Sequence, residues 1–158
     1  MLLSDLIKPA RVKLTLTGTN RDAVLEELVD LIPEVHEARA ARETLLKALH
    51  EREELHSTGI GDGVALPHAR NALVGLVDKP VIVFGRHPVG VHYAAIDGQP
   101  AQLFFLLVAP SVTQHLAVLA RISRVLRDPK VRQHLLSATT VDEILKAIAE
   151  AEAKMYGS

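Results

Sequence analysis

Two nearly continuous apolar runs constrain the fold of this 158-residue chain more than any other feature. They cover residues 80–84 and 101–109, and Gln102 is the one interruption. Such runs are typical of strands that are buried on both sides, in a sheet that helices cover on each face. The chain is long enough for one domain with a substantial core. These runs therefore predict an α/β domain built around a largely buried sheet.

Periodicity in the rest of the chain predicts the surrounding elements. Residues 11–17 alternate, with Val12, Leu14 and Leu16 on one face, which predicts a strand with one exposed face. Apolar residues at helical spacing, together with capping residues, predict several helices. These are a first helix closed by Pro33, a second over residues 38–55, a third beginning at residues 110–114, a short one over residues 128–136, and a last one capped by Thr140 and Glu143.

The segment between the two apolar runs is less regular. Residues 87–97 mix polar and apolar types, which predicts a loop and an irregular strand, with His87 and His92 exposed. With the other elements, we expect an α/β fold in a single domain over residues 1–158. Its predicted sheet is mixed, has four or five strands and carries helices on both faces.

Composition excludes several classes of function. The formal net charge is -1 and no basic amphipathic segment is present, so neither nucleic-acid binding nor a basic membrane anchor is expected. The longest apolar run is far too short to span a membrane, and the amino terminus does not resemble a signal peptide. We therefore expect a cytoplasmic protein without membrane insertion. The absence of cysteine excludes disulfides, thiolate metal sites and cysteine nucleophiles.

Residues 57–70 hold the pattern with the clearest chemical content. Glycines alternate at 59, 61 and 63, a short apolar run follows, and Pro67 then precedes His68. Proline fixes its own φ and favours extended backbone before it, so the chain reaches His68 along a constrained path. A histidine after a proline is usually a packing or surface residue. An imidazole held in this way can also act as a nucleophile, an acid–base group or a metal ligand.

Arg52 interrupts the apolar stripe of the predicted second helix. It lies three residues after Leu49 and seven after Leu45, where a leucine is expected. Such an arginine either extends to solvent at the helix end or faces an anion, for which its planar set of donors is well suited. The polar neighbours are predicted to lie on the solvated surface: His50, Glu51, Glu53, Glu54 and His56.

His115 interrupts the stripe of the predicted third helix. Leu119, Ile122 and Leu126 form the inward face, and His115 lies four residues before Leu119, in the first turn. One interpretation is a histidine at the edge of the core whose ring bonds a backbone group. The other is a partner for His68, at a helix start where backbone amides favour an anion.

The sequence from Ser57 to His68, Ser-Thr-Gly-Ile-Gly-Asp-Gly-Val-Ala-Leu-Pro-His, resembles the active-site signature of a known family. These are the enzyme IIA domains of the fructose/mannitol class of the bacterial phosphotransferase system, which include the nitrogen-regulatory IIA proteins. The resemblance extends over essentially the whole chain. Two positions depart from it, because Ala69 stands where many nitrogen-type relatives have glycine and Asp62 adds a negative charge to the loop.

The resemblance implies a phosphocarrier without cofactor or metal. It implies that His68 accepts a phosphoryl group from an HPr-like donor as a tele-phosphohistidine, that His115 donates a hydrogen bond to the phosphate, and that Arg52 stabilises its charge. The acceptor would be a IIB domain or a regulated target protein. The chain has neither the IIB cysteine nor a IIC membrane channel, so we expect a free-standing IIA unit.

The expectation of a free-standing IIA unit favours a regulatory, nitrogen-type phosphotransferase. Three alternatives stay open. The chain can be the sugar-specific IIA component of a fructose- or mannitol-type transporter. It can also be a protein-interaction module that keeps the fold without catalysis. A metal-dependent hydrolase using His68 and His115 is disfavoured, because no carboxylates follow at a recognisable ligand spacing.

Overall fold

The computed structural model describes residues 2–70, 73 and 75–157. After a short first helix and strand, this part of the chain forms three helices, then four strands, then three more helices. In chain order, the elements are α1 (Leu3–Leu6), a 3₁₀ turn (Pro9–Arg11), β1 (Val12–Lys13), α2 (Arg21–Val29), α3 (Pro33–His36), α4 (Arg39–Leu55), β2 (Gly59–Gly61), β3 (Val64–Ala65), β4 (Val81–Val91), β5 (Ala101–Val108), α5 (Val112–Val125), α6 (Pro129–Ser137) and α7 (Val141–Tyr156).

The sheet has five strands in the described part of the chain, in the order β1-β4-β5-β3-β2. The two apolar runs form its centre, where β4 and β5 pair antiparallel with Val81 opposite Val108. β1 runs parallel to β4 and β3 runs parallel to β5, while β2 returns antiparallel along β3. The predicted mixed sheet of four or five strands is confirmed. The carboxyl ends of β3 and β5 consequently lie at one edge of the sheet.

Helices cover both faces of this sheet, which confirms the predicted α/β architecture. On one face, α1, α5, α6 and α7 enclose a core in which the rings of Phe84 and Phe105 meet edge to face at 5.0 Å. On the other face, α2, α3 and α4 enclose a second core, where Tyr93 and Phe104 meet at 5.6 Å. Adjacent residues of β5 therefore contribute to different cores, as alternation along a strand requires. No helix in the described residues is long and apolar enough to cross a membrane.

The strand predicted over residues 11–17 is shorter in the structure. Only Val12 and Lys13 pair with β4, and Leu16 then makes a single backbone bond of 2.8 Å to the Arg86 carbonyl. Beyond that point a carboxylate replaces the ladder, because Glu27 of α2 accepts hydrogen bonds from the amides of Thr17 and Gly18. The predicted shared face is wrong, because Val12 and Leu14 pack against one core and Leu16 lies in the other, on the opposite face of the sheet.

The irregular strand predicted within residues 87–97 is present as the end of β4, whose register with β5 shifts between Arg86 and Val91. β4 continues to Val91, and the prediction that His87 is exposed is wrong, since only 7% of it is accessible. Its Nε2 donates to the carbonyl of Gly18 at 2.9 Å, and its Nδ1 accepts from the amide of Gly90 at 3.0 Å. Both ring nitrogens thus serve the fold. His92 is exposed, as predicted.

The helix predictions agree closely with the structure, apart from the first. α4 begins after Ala38, which makes no side-chain cap bond. α6 and α7 begin after Asp128 and Thr140, which accept from the amides of Lys130 and Glu143. The first predicted helix ends early, because α2 stops at Val29. Pro33 begins the short α3, in agreement with the preference of proline for the first turn of a helix.

Candidate active site

His68 lies where β3 has ended but its neighbour β5 continues. Its backbone forms a parallel bridge with Leu107, and the Leu107 amide donates to the Pro67 carbonyl at 2.9 Å. The Pro-His dipeptide thus extends the pairing of β3 along β5 to the sheet edge. Because proline lacks an amide hydrogen, only its carbonyl contributes to this ladder. The backbone leading to His68 is therefore constrained, as predicted, and its pairing with Leu107 of β5 is one cause.

The imidazole of His68 is half-buried and fixed by one hydrogen bond. Nδ1 lies 2.6 Å from the carbonyl oxygen of Leu66. A carbonyl oxygen can only accept, so Nδ1 carries the hydrogen and Nε2 keeps its lone pair. The pKa of His68 is lowered, chiefly by burial, against the raising effect of the Leu66 carbonyl. The charge of Arg52 lowers it further, as does His115 when that ring is protonated. These effects favour the neutral ring, in which Nε2 carries the free lone pair.

The structure brings His115 to His68. The two ring centroids are 5.4 Å apart and the ring planes are inclined by 59°. His115 lies in the first turn of α5, which Ser111 caps by accepting from the amide of Gln114 at 3.3 Å. Only 6% of His115 is accessible, and burial lowers its pKa. Within the described residues its ring nitrogens have no hydrogen-bond partner, which favours the interpretation of His115 as a partner for His68.

Arg52 approaches the site from the opposite helical layer. It lies in the last turn of α4, where one of its Nη atoms donates to the carbonyl of His56, and its charge acts on His68. Arg52 as a whole is partly buried and has no carboxylate partner among the described residues. It also lines a cleft of about 680 Å³ with Arg70 and the acidic residues Glu51 and Glu54, and neither His68 nor His115 is among the residues that line it. The interpretation in which Arg52 faces an anion is therefore supported by its charge acting on His68, and not by this cleft.

The glycine-rich loop turns sharply and directs Asp62 away from the site. Gly61, Asp62 and Gly63 all have positive φ, at 93°, 57° and 77°. The Asp62 amide donates to the Asp97 carboxylate at 2.9 Å, and the Asp62 side chain is 69% exposed. Its nearest charged partner is Arg132, at 3.9 Å. The negative charge that departs from the family pattern therefore points into solvent.

One buried group near the site was missed by the sequence interpretation. Glu53, which is predicted to be solvated, is only 5% exposed. It accepts hydrogen bonds from the amide of Thr58 at 3.0 Å, from the Thr58 hydroxyl and from the Tyr93 hydroxyl at 3.2 Å. Its spacing carried the signal, since Leu45, Leu49 and Glu53 are four residues apart and all three are buried. Glu51 and Glu54 are exposed, as predicted.

This arrangement can receive an anionic electrophile. A neutral imidazole presents one free nitrogen, a second histidine lies beside it, and the start of α5 directs backbone amides toward the same region. Arg52 adds a permanent positive charge. The described residues contain no group of three or more histidine, aspartate, glutamate or cysteine side chains placed to hold a metal ion.

Two known proteins are similar in sequence to this chain over most of its length. The fructose-specific EIIABC component of Bacillus subtilis is 35% identical over 150 residues, which cover 94% of this chain and only 23% of that longer protein. The nitrogen regulatory protein of Pseudomonas aeruginosa is 31% identical over 153 residues, covering 95% of this chain and 96% of that protein.

A solved structure agrees with these relatives. The nitrogen regulatory protein IIA-Ntr from Neisseria meningitidis superposes with a TM-score of 0.81 at 27% identity, covering 92% of this chain and 98% of that one. The model of the family described as "Phosphoenolpyruvate-dependent sugar phosphotransferase system, EIIA 2" matches residues 5–151. The chain therefore belongs to the EIIA 2 family of the phosphoenolpyruvate-dependent sugar phosphotransferase system.

Proposed function

We propose that this chain is a phosphocarrier in which Nε2 of His68 accepts a phosphoryl group from the phosphohistidine of an HPr-like donor. The single observation that carries the proposal is the 2.6 Å bond from Nδ1 to the Leu66 carbonyl, which leaves Nε2 as the free nitrogen. The Nε2 lone pair forms the new P–N bond, the donor's P–N bond breaks, and its electron pair returns to the donor nitrogen. The hydrogen on Nδ1 stays in place throughout.

His115 and Arg52 have separate roles in this proposal. The transferring group spreads negative charge over its equatorial oxygens, so catalysis depends on positioning and on charge stabilisation. His115 donates a hydrogen bond to these oxygens from the first turn of α5. Arg52 supplies positive charge from α4. Pro67 holds the ring through its place in the ladder beside β5.

The surface around His115 supports docking of partner proteins. Val112 and Leu116 lie on the same first turns of α5 and are 60% and 59% exposed. Apolar side chains exposed around a reactive group are typical of protein–protein contact. We propose that an HPr-like donor docks here, and that a IIB domain or a regulated protein later takes the phosphoryl group in the cytoplasm. The protein is a phosphotransferase in this sense.

Of the possible roles, we favour the regulatory, nitrogen-type carrier. Its support is the match to a nitrogen regulatory protein across 95% of this chain and 96% of that protein, together with the likeness to IIA-Ntr. A sugar-specific IIA is the second candidate, because the fructose component has the slightly higher identity of 35%. Transfer to a fructose- or mannitol-type IIB would distinguish the two.

The first test is phosphoryl transfer itself. Enzyme I, an HPr-like protein and labelled phosphoenolpyruvate are incubated with wild type, His68→Ala and His92→Ala, the last being an exposed histidine as matched control. We expect acid-labile label on wild type and His92→Ala and none on His68→Ala. Label retained on His68→Ala would overturn the assignment. Failure of wild type to take label, while a known IIA protein does, would leave the interaction module as the better proposal.

A further inference from the structure

The buried carboxylate of Glu53 begins a chain of hydrogen bonds that ends at the His68 ring. Glu53 accepts from the amide of Thr58 at 3.0 Å. The carbonyl of Thr58 accepts from the amide of Leu66 at 3.0 Å. The carbonyl of Leu66 accepts from His68 Nδ1 at 2.6 Å. A series of three hydrogen bonds thus connects α4 to the residue before β2, then to the residue after β3, and finally to the His68 ring.

These hydrogen bonds engage both the amide and the carbonyl of Thr58, and likewise both the amide and the carbonyl of Leu66. Further bonds hold the same region, since the Thr58 hydroxyl and the Tyr93 hydroxyl both donate to Glu53. Burial, with the adjacent Glu53 charge, raises the pKa of Tyr93 well above its ordinary value, so Tyr93 keeps the hydrogen that it donates. The carbonyl that orients His68 therefore belongs to a fully bonded segment.

Burying the Glu53 carboxylate destabilises the folded protein unless other groups replace the water around it. Removing a carboxylate from water is unfavourable unless donors or cations replace the solvent. Here, three protein donors replace it, and no lysine or arginine of the described residues lies within ion-pair distance. Salt-bridge stabilisation does not account for the burial. Two of the three donors to Glu53 belong to Thr58, whose carbonyl accepts from the amide of Leu66 in the segment before His68.

We propose that Glu53 is a positioning residue for His68, which sets the tautomer and the direction of Nε2 by fixing Thr58 and, through it, the Leu66 carbonyl. This inference rests on the proposed phosphocarrier function, because it assigns Glu53 a part in the readiness of Nε2 to react. Glu53 touches neither the reacting atoms nor the phosphate. Outer hydrogen bonds of this kind orient reactive histidines in many proteins.

The test compares Glu53→Ala and Glu53→Gln by two readouts. Nitrogen-15 NMR of the unphosphorylated protein reports which ring nitrogen of His68 carries hydrogen, and single-turnover transfer from the phosphorylated donor gives the rate. We expect Glu53→Ala to give a mixture of tautomers and a loss of about tenfold in rate. Glu53→Gln keeps an acceptor for the Thr58 amide, so it should restore most of the rate and the single tautomer.

Control variants separate positioning from stability. Glu43→Gln, at a 65% exposed position on the same helix, should match wild type. Ile148→Val, in the core beneath α7, should lower Tm without changing tautomer or rate. If Glu53→Ala fails to fold, Thr58→Val removes one donor to Glu53 and should shift tautomer and rate in the same direction, by less.

Two results would overturn the inference. One is a lowered Tm for Glu53→Ala with the wild-type tautomer and rate, which would make Glu53 purely structural. The other is loss of rate with an unchanged tautomer in Thr58→Val and Glu53→Ala alike. If wild type itself takes no phosphoryl group, the proposed function fails, and the NMR readout still decides whether Glu53 positions the ring.

Discussion

At the scale of single residues, the environment of His68 determines when it can react. Burial lowers its pKa, and Arg52 adds to this effect, as does His115 when that ring is protonated. The neutral form is the nucleophile, so the transfer rate should rise with pH through this lowered pKa. We expect the inflection below about 6.5 and a constant rate at neutral pH. Single-turnover rates at constant ionic strength between about pH 5 and 8 would measure it.

An inflection above the ordinary histidine value would contradict this prediction. It would mean that the cation-stabilising Leu66 carbonyl outweighs burial and the two neighbouring groups. Because His115 also has a lowered pKa, both rings should be neutral at the working pH. His115 then has one ring hydrogen to donate.

The second residue-scale prediction concerns His115. His115→Ala should slow transfer by about 10², the loss typical of one preorganised donor to a developing charge. The measurement is the single-turnover rate, with Tm recorded beside it, because the residue is buried. His115→Asn keeps a donor and should recover part of the rate. An unchanged rate in both variants would return His115 to the role of a packing residue.

At the scale of elements, the cap of α5 connects helix stability to the site. Ser111→Ala removes the acceptor for the Gln114 amide and should cost about 1 kcal/mol in the free energy of unfolding. Thr140→Ala removes the equivalent bond from α7, where Thr140 accepts from the amide of Glu143 at 3.2 Å, and is a matched control. We expect urea unfolding to show similar losses for both. Only Ser111→Ala should also reduce transfer, because His115 follows in the capped turn.

Equal transfer rates in the two cap variants would argue against this link. They would show that the first turn of α5 keeps His115 in place without its cap, through the packing of Val118 and Ile122 on the sheet. The distinction is accessible, since Ser111 and Thr140 cap helices of comparable length on the same face of the sheet.

Elements with a strong and unopposed pattern could be predicted from the sequence. β5 follows from its apolar run, and α4 and α7 follow from their periods and ends. The strand at residues 11–17 could not be predicted correctly. Its ladder ends because Glu27, which lies in α2, accepts hydrogen bonds from the amides of Thr17 and Gly18. Such competition depends on a tertiary contact, which a local pattern does not contain.

The sequence singles out three candidate residues, but their arrangement and the burial of Glu53 depend on tertiary contacts. Arg52 and His115 stand out because each interrupts an apolar stripe, and both lie near His68. The same rule, applied evenly, identifies Glu53 four residues after Leu49. Its burial was missed because a run of charged neighbours indicates solvent, and because its partners Thr58 and Tyr93 lie on other elements.

At the scale of the whole molecule, Arg86 joins β4 to distant segments. Its Nε donates to the Leu14 carbonyl at 3.1 Å, and one Nη donates to the carbonyls of Leu135, Leu136 and Ala138 at the end of α6. A cation at a helix carboxyl end is favourable. Arg86→Met leaves these carbonyls without their donor and should cost about 2–4 kcal/mol.

Equilibrium unfolding in urea would measure this loss. Arg39→Met is a suitable control, because Arg39 is 92% exposed and, among the described residues, pairs only with Glu43 of the same helix. We expect almost no change for it. A loss below about 1 kcal/mol for Arg86→Met would show that water replaces the lost donor at the end of α6.

The site takes His115 from the helical layer on one face of the sheet and Arg52 from the layer on the other. Chemical competence therefore requires that both cores be assembled at once. Under the proposed function, a chain that has packed only one layer lacks either His115 or Arg52 beside His68. We therefore expect partly folded chains to be poor phosphoryl acceptors, so that partners responding to the phosphorylated state would respond mainly to folded copies.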